Sequence, residues 1–141
     1  MTGHTGGCAC GAVRYRVAGP LRPVIACHCT ECRRMSGHYA AATACRRECL
    51  RLEAAASLRW WSSSADHRRG FCAECGSLLF WEREGTAGTS IFAGTLDQPT
   101  GLTLAGHIYT AEKGDYYEIA DGLPQAERRD PTLTTQMGEG G

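Results

Sequence analysis

Seven of the nine cysteines in this chain fall into three short clusters, and this pattern constrains the fold more than any other feature. The clusters are Cys8-Ala9-Cys10, Cys27-His28-Cys29-Thr30-Glu31-Cys32 and Cys72-Ala73-Glu74-Cys75. Cysteines one or two residues apart are poor disulfide partners for each other, but a tight turn can aim both sulfurs at one metal ion. Two such pairs that meet in space close a metal site, and the pattern therefore predicts a metal-stabilised fold.

Length and charge narrow the class of protein. A chain of 141 residues with zero formal charge predicts one domain, and it argues against nucleic acid as a partner. The polar, glycine-rich start lacks the apolar core of a secretion signal, and no apolar run approaches the ~18 residues of a membrane helix. We therefore expect a soluble, cytoplasmic protein with no membrane partner, whose reducing surroundings favour metal ligation over disulfides. The sequence sets no oligomeric state.

Short segments with alternating apolar and polar residues predict a mainly β fold with little helix. Strands are predicted at 13–17, 50–52, 58–60, 78–81, 91–93, 102–104 and 107–109, with a hairpin turn at 85–88. One short helix is predicted from Thr30, as its N-cap, to Met35, because Gly37 would end it. We expect a single zinc-binding domain at 3–127 and a disordered tail at 128–141, where the apolar pattern stops.

The first and third clusters together predict a structural zinc site. Each pair is followed by a glycine, Gly11 or Gly76, which lets the backbone turn sharply around the sulfurs. The four ligands would be Cys8, Cys10, Cys72 and Cys75. A closed set of four thiolates is the usual structural arrangement of zinc. The alternatives are buried cysteine pairs without a metal, or iron in place of zinc.

The middle cluster offers three ligands, Cys27, Cys29 and Cys32, and lacks an obvious fourth. Three protein ligands with one open position are typical of a catalytic or exchangeable zinc, which accepts water, a small thiol or an activated substrate. The alternative is a second closed structural site, with a fourth ligand such as His38 or Cys45.

Residues beside the middle cluster add charge to it. Arg33 and Arg34 would lower the thiol pKa values, and either could hold a substrate carboxylate; we assign Arg33 to catalysis and Arg34 to cofactor binding. His28 alternates to the other face, where a packed or hydrogen-bonded histidine is expected more than a ligand. Cys45 and Cys49 belong to no pair, and small buried residues or one exposed thiol are the expectation.

The cysteine motifs resemble the glutathione-dependent formaldehyde-activating enzyme family, which also includes centromere protein V. The motifs are Gly6-Gly7-Cys8-x-Cys10-Gly11, Cys27-His28-Cys29-x-x-Cys32-Arg33 and Phe71-Cys72-x-x-Cys75-Gly76. Three later segments are also similar: Gly94-Thr95-Leu96-Asp97, His107-Ile108-Tyr109 and Asp121-Gly122-Leu123-Pro124. The resemblance covers about 3–127.

The resemblance implies a β-sandwich-like fold of the small-GTPase-chaperone type, with a structural zinc on the first and third clusters. It implies a second, labile or catalytic zinc on Cys27, Cys29 and Cys32. The implied activity is the condensation of formaldehyde with glutathione to S-(hydroxymethyl)glutathione, a carbon–sulfur lyase reaction, with a small thiol and an aldehyde as partners. Asp97, His107 and Tyr109 are candidate pocket residues, and each fits a structural role equally well.

A second hypothesis from another class is a zinc-stabilised binding module with no chemistry, for a protein or nucleic-acid partner. Two arginine pairs, Arg46-Arg47 and Arg68-Arg69, could form a local basic patch, although such pairs are usually solvated surface. Metal content separates the hypotheses: two zinc ions, one of them easily removed, favour the enzyme, and one tightly held zinc favours the module.

Overall fold

The protein is represented by a computed structural model that describes residues 3–134, in which ten β-strands and two short α-helices are found. The strands are β1 (Gly3–Gly7), β2 (Arg14–Ala18), β3 (Val24–Cys27), β4 (Ala40–Arg46), β5 (Leu50–Ala54), β6 (Leu58–Trp61), β7 (His67–Cys72), β8 (Leu78–Arg83), β9 (Gly88–Phe92) and β10 (Leu104–Ile108). The helices are α1 (Thr30–Ser36) and α2 (Pro131–Thr134), and three short 3₁₀ turns cover Arg47–Cys49, Ala93–Thr95 and Thr110–Glu112.

The strands form two sheets. The smaller sheet has the order β1-β2-β5, and the larger has the order β10-β3-β4-β9-β8-β7-β6. Neighbouring strands run antiparallel, except that β10 pairs with β3 in parallel and so returns the chain to the strand that carries Cys27. The expected mainly β fold with little helix is confirmed, whereas the likeness to small-GTPase chaperones stays a prediction.

The hydrophobic core contains residues of both sheets. On β2, alternation directs Tyr15 and Val17 inward, and both are fully buried. The Tyr15 ring meets Phe80 of β8 edge-to-face, with ring centroids 5.3 Å apart. Gly6 leaves room for the phenol, since a Cβ there would lie 2.4 Å from Tyr15 Oη. Two sheets that share such a core are held together by apolar burial.

Several predicted strands are found and others were not predicted. The segments at 13–17, 50–52, 58–60 and 78–81 overlap β2, β5, β6 and β8, and 91–93 overlaps the end of β9. The segments at 102–104 and 107–109 belong to one strand, β10. Four strands escaped the pattern, namely β1, β3, β4 and β7. Glycine dominates β1 and alanine dominates β4, and both residues are depleted in strands, so tertiary pairing decides these segments.

The segment after residue 127 is described as far as Thr134. It contains α2, where Leu133 is buried in a small apolar cluster with Ile25 and Ile108. The rest of the predicted disordered tail, 135–141, lies outside the described residues, and the boundary at 127 stays a prediction. No helix in the described part of the chain is long and apolar enough to cross a membrane.

The Tyr15 hydroxyl provides a test of the core. It bonds Thr95 Oγ1 at 2.7 Å, and burial raises the pKa of Tyr15 to about 12. Since Thr95 already donates to the Phe92 carbonyl, Tyr15 is the donor. We expect Tyr15→Phe to lower the free energy of unfolding by about 1 kcal/mol, measured by urea denaturation. Tyr15→Leu should cost more, because it also removes ring packing; equal stability of all three proteins would contradict this account.

Candidate functional site

The first and third cysteine clusters meet in one group of four sulfurs. Cys8 and Cys10 follow β1, while Cys72 ends β7 and Cys75 lies in the turn after it. Sγ of Cys10 lies 3.6 Å from Sγ of Cys8 and 3.8 Å from that of Cys72, and all four Sγ atoms lie within 4.8 Å of one another. Sulfurs placed tetrahedrally at about 2.3 Å from a zinc ion are separated by about 3.8 Å. The group therefore fits a closed tetrahedral metal site.

Polar groups lie within hydrogen-bonding distance of three of these sulfurs. The Val13 amide donates to Cys8 Sγ at 3.1 Å, and the Ser57 hydroxyl lies 3.3 Å from Cys72 Sγ. The Ser77 hydroxyl, 3.2 Å from Cys75 Sγ, lowers the pKa of Cys75 to about 5. Ser77 also accepts the Ala9 amide, so one side chain connects the two halves of the group. Hydrogen bonds to metal-binding thiolates orient them and reduce their charge.

The middle cluster forms a second group of three sulfurs, here called the cysteine trio. Cys27 ends β3, Cys29 precedes α1 and Cys32 lies in its first turn, and the three Sγ atoms lie within 4.8 Å of one another. The N-cap of α1 is Cys29 and not Thr30, because Cys29 Sγ accepts the Cys32 amide at 3.3 Å. Hydrogen bonds from the other two thiols lower the pKa of Cys29 to about 2, which concentrates negative charge on this sulfur.

The described residues supply the trio with no fourth histidine, cysteine or carboxylate ligand within the same distance. His38 instead contacts the rings of Tyr39 and Tyr117. Cys45, on β4, is buried in the core between the sheets, where burial raises its pKa to about 12. The trio therefore has the composition of an open site.

The cysteine trio lines a cavity of about 340 Å³. This volume lies at the lower end of the range of about 300–1,000 Å³ for small-molecule sites. Apolar side chains form much of the wall: Ile25, Ala40, Ala42, Trp81, Phe92 and Ile108. The lining also contains four arginines and one carboxylate: Arg22, Arg69, Arg83, Arg129 and Glu31. A cavity with this lining suits a small anionic molecule.

Arg69 was not predicted as a site residue, and it contacts the trio directly. The residue is 4% exposed, its Nη2 lies 3.5 Å from Cys32 Sγ, and its Nε donates to Glu31. The sequence suggested a solvated surface pair at Arg68-Arg69, but only Arg68 is exposed. The signal was hidden because Glu31 and Arg69 are far apart in sequence and meet only through the fold. The guanidinium charge acts to lower the pKa of Cys32, whereas the Cys29 thiol and burial raise this pKa to about 11.

The other predicted site residues take different positions. Arg33 is half-buried and Arg34 exposed, and neither is among the residues that line the cavity, so their catalytic and cofactor-binding roles stay predictions. Asp97 lies elsewhere and pairs with Arg14 at 2.6 Å. Tyr109 does line the cavity, and it is the one non-glycine residue with positive φ in the described range, at φ 57°. Such a conformation costs on the order of 1–3 kcal/mol, and it is concentrated at functional sites.

His107 belongs to a line of four hydrogen-bonded side chains, here called the histidine relay (Asp121, His107, His28 and Tyr117). His107 Nε2 lies 2.8 Å from Asp121 Oδ2, and His107 Nδ1 lies 2.9 Å from His28 Nε2. His28 Nδ1 bonds the Tyr117 hydroxyl. Both histidines are buried, and burial together with the His107 ring lowers the pKa of His28 to about 4. His28 therefore has the packed, hydrogen-bonded role predicted for it.

The direction of each bond in the relay follows from Asp121. Hydrogen bonds from the Leu123 amide and from His107 lower the pKa of Asp121, so its carboxylate only accepts. With both rings neutral, His107 then donates through Nε2 and accepts at Nδ1, so His28 donates through Nε2 and accepts the Tyr117 hydroxyl at Nδ1. The relay therefore fixes the tautomer of His28. Together with the bond from the His28 amide to the Ile108 carbonyl, it holds the backbone between Cys27 and Cys29 in place.

Substitutions within the relay should differ in their cost. His107→Phe leaves the buried His28 Nε2 without an acceptor, and we expect the free energy of unfolding to fall by roughly 1–3 kcal/mol. Tyr117→Phe breaks one hydrogen bond of the relay where His107→Phe breaks two, and it should cost less, about 1 kcal/mol. Urea denaturation of both metal-loaded variants measures this; an equal cost for the two would contradict the relay.

Metal analysis of single variants tests the two sulfur groups. We expect the wild-type protein to contain two metal ions per chain. Cys72→Ser should yield insoluble or metal-free protein, because it opens the group that joins the two sheets, whereas Cys29→Ser should stay folded and lose one ion. Cys49→Ser, outside both groups, is the matched control and should retain both ions. A well-folded Cys72→Ser variant with full metal content would refute the structural assignment.

Two comparisons with known proteins show what this chain is similar to. A family model described as "Glutathione-dependent formaldehyde-activating enzyme" matches residues 3–112. A crystal structure of a Rhodobacter sphaeroides protein is similar to this chain, with a TM-score of 0.55, 22% sequence identity, and coverage of 86% of this chain and 98% of that one. The structural likeness supports the fold, and the family model, which matches most of the chain and spans both sulfur groups, decides its membership. The chain belongs to the glutathione-dependent formaldehyde-activating enzyme family.

Proposed function

We propose that this protein is a zinc-dependent enzyme of the carbon–sulfur lyase class, which joins a small thiol such as glutathione to an aldehyde such as formaldehyde. One observation carries the proposal: all three sulfurs of an open ligand group line a cavity of small-molecule size. A purely structural metal site would be closed and would have no reason to face a cavity.

The two sulfur groups would hold zinc in different roles. Cys8, Cys10, Cys72 and Cys75 would hold a structural ion, and Cys27, Cys29 and Cys32 would hold a second, exchangeable one. Zinc at the trio, when bound, would supply a Lewis acid and keep a coordinated thiol deprotonated near neutral pH. The buried Arg69, on Cys32, balances part of the negative charge of three thiolates.

The chemistry requires little from the remaining cavity residues except binding and orientation. The thiolate sulfur of the substrate attacks the aldehyde carbon, so a carbon–sulfur bond forms and the carbonyl π pair moves to oxygen. That oxygen takes up a proton equivalent to the one that the thiol released, and the product is an S-hydroxymethyl thioether. The apolar wall limits water around the reacting atoms, and the arginines attract the carboxylates of a thiol such as glutathione.

Arg33 and Arg34 keep a secondary place in this proposal. They follow Cys32 on α1 but lie outside the lining of the cavity, so their contact with a substrate carboxylate would add to those of the lining arginines. We also propose a cytoplasmic location, because all nine cysteines are free thiols, and a reducing compartment preserves them.

Calorimetry with glutathione, combined with the rate of S-(hydroxymethyl)glutathione formation from formaldehyde, tests the function. We expect the metal-loaded wild type to bind glutathione and to accelerate the reaction. Cys29→Ala should weaken binding by at least about 10-fold and abolish the acceleration, because it removes a ligand of the open site. Cys49→Ala should behave as the wild type.

Two outcomes would contradict the proposal. Absence of thiol binding by the wild type would favour the zinc-stabilised binding module in its place. Turnover by a folded Cys29→Ala variant at the wild-type rate would remove the trio from the mechanism.

A further inference from the structure

Arg22 is a buried cation in the cavity wall that faces no carboxylate among residues 3–134. Its side chain lines the cavity and the residue is 4% exposed. Three of its N–H groups donate to backbone carbonyls: Nε to Pro23 at 3.3 Å, Nη1 to Thr134 at 3.2 Å and Nη2 to Ala42 at 2.9 Å. Burial alone lowers the pKa of Arg22 to about 10, which leaves the guanidinium charged at neutral pH.

The other buried or partly buried arginines of the cavity differ from Arg22 in this respect. Arg69 is paired with Glu31, and Arg83 lies 3.6 Å from Asp66. Carbonyl dipoles satisfy hydrogen bonds but do not neutralise a charge, and a buried charge without a counter-ion is costly. A fold retains such a group most readily where a ligand supplies the missing anion.

The unused donors of Arg22 suit a carboxylate. A guanidinium has five N–H groups, and the three carbonyl bonds leave one on Nη1 and one on Nη2. Two donors on adjacent nitrogens match the two oxygens of a carboxylate in a bidentate contact.

The sheet register shows how the carbonyl that holds this guanidinium and the cysteine trio are spaced along the cavity wall. Ala42, whose carbonyl accepts from Arg22, lies two residues after Ala40 on β4, and Ala40 is paired with Cys27. Two residues along a strand span about 7 Å. Ile25, opposite Ala42, provides apolar wall between the two ends. The cavity therefore presents sulfur ligands at one point and a carboxylate receptor on the order of 7 Å along the wall.

We propose that Arg22 binds a carboxylate of the thiol substrate and thereby selects small thiols that carry a carboxylate over thiols that lack one. This inference rests on the proposed function of the cysteine trio. In this proposal Arg22 determines which thiol binds, and the cysteine trio holds the thiol sulfur where it reacts.

The experiment compares glutathione with its diethyl ester, which keeps the thiol but removes both negative charges. Binding of each to the metal-loaded protein is measured by calorimetry for the wild type, Arg22→Met and Arg16→Met. We expect the wild type to prefer the acid by roughly 10- to 100-fold, as for a charge-assisted bidentate contact. Arg22→Met should lose most of this preference, and Arg16→Met, whose arginine lies outside the cavity lining and pairs with Glu53, should keep it.

The outcomes separate this inference from the proposed function. If the wild type binds neither compound, the proposed function fails and the inference fails with it. If the wild type binds both equally, or if Arg22→Met keeps the preference, the role of Arg22 is overturned while thiol binding stands. Should Arg22→Met not fold, Arg22→Lys carries the test: it keeps the charge but lacks the planar fork, and we expect it to retain less than half of the preference in log units. A full preference in the lysine variant would overturn the bidentate contact.

Discussion

The convergence of four sulfurs from opposite parts of the chain is the constraint on which the rest of the structure depends. Cys8 and Cys10 follow the first strand of the small sheet, and Cys72 ends a strand of the large sheet. A metal ion held by all four would therefore join the two sheets at the edge of their shared core. Once this corner is fixed, β2 lies across the large sheet, and the rings of Tyr15 and Phe80 can meet.

The cysteine trio depends on a balance between the negative charge of its sulfurs and the positive charge of nearby groups. Three thiolates at one point repel one another unless a metal and nearby cations compensate them. Arg69 reaches Cys32 from β7, and Glu31 holds it there. Behind the trio, the histidine relay positions the backbone between two of the ligands without reaching into the cavity. The cavity side is thus left for a substrate, and the opposite side is fully occupied by hydrogen bonds.

The sequence predicted which cysteines lie together, because a spacing of one or two residues is a local property that does not depend on the rest of the fold. The short helix at the trio was also predicted, but with Thr30 as its N-cap. In the structure the N-cap is Cys29, whose sulfur accepts the Cys32 amide and is also a candidate metal ligand. The arginines of the cavity were not predictable. Arg69 meets a carboxylate 38 positions away, and Arg22 meets a carbonyl 112 positions away, so only the pairing of strands brings them to the site. Strands rich in glycine or alanine escaped prediction for the same reason, since their neighbours and not their own side chains stabilise them.

The contact between Arg22 and the Thr134 carbonyl affects the order in which the sites of the protein can form during synthesis. The four-sulfur group has all its cysteines once the chain has been synthesised to Cys75, so we expect it to bind metal early in a nascent domain, whereas the trio also depends on the later residues of the histidine relay. The wall that holds Arg22 is finished only when α2 emerges and docks on Ile25 and Ile108. During synthesis, the capacity to bind metal is therefore expected to precede the capacity to discriminate among ligands.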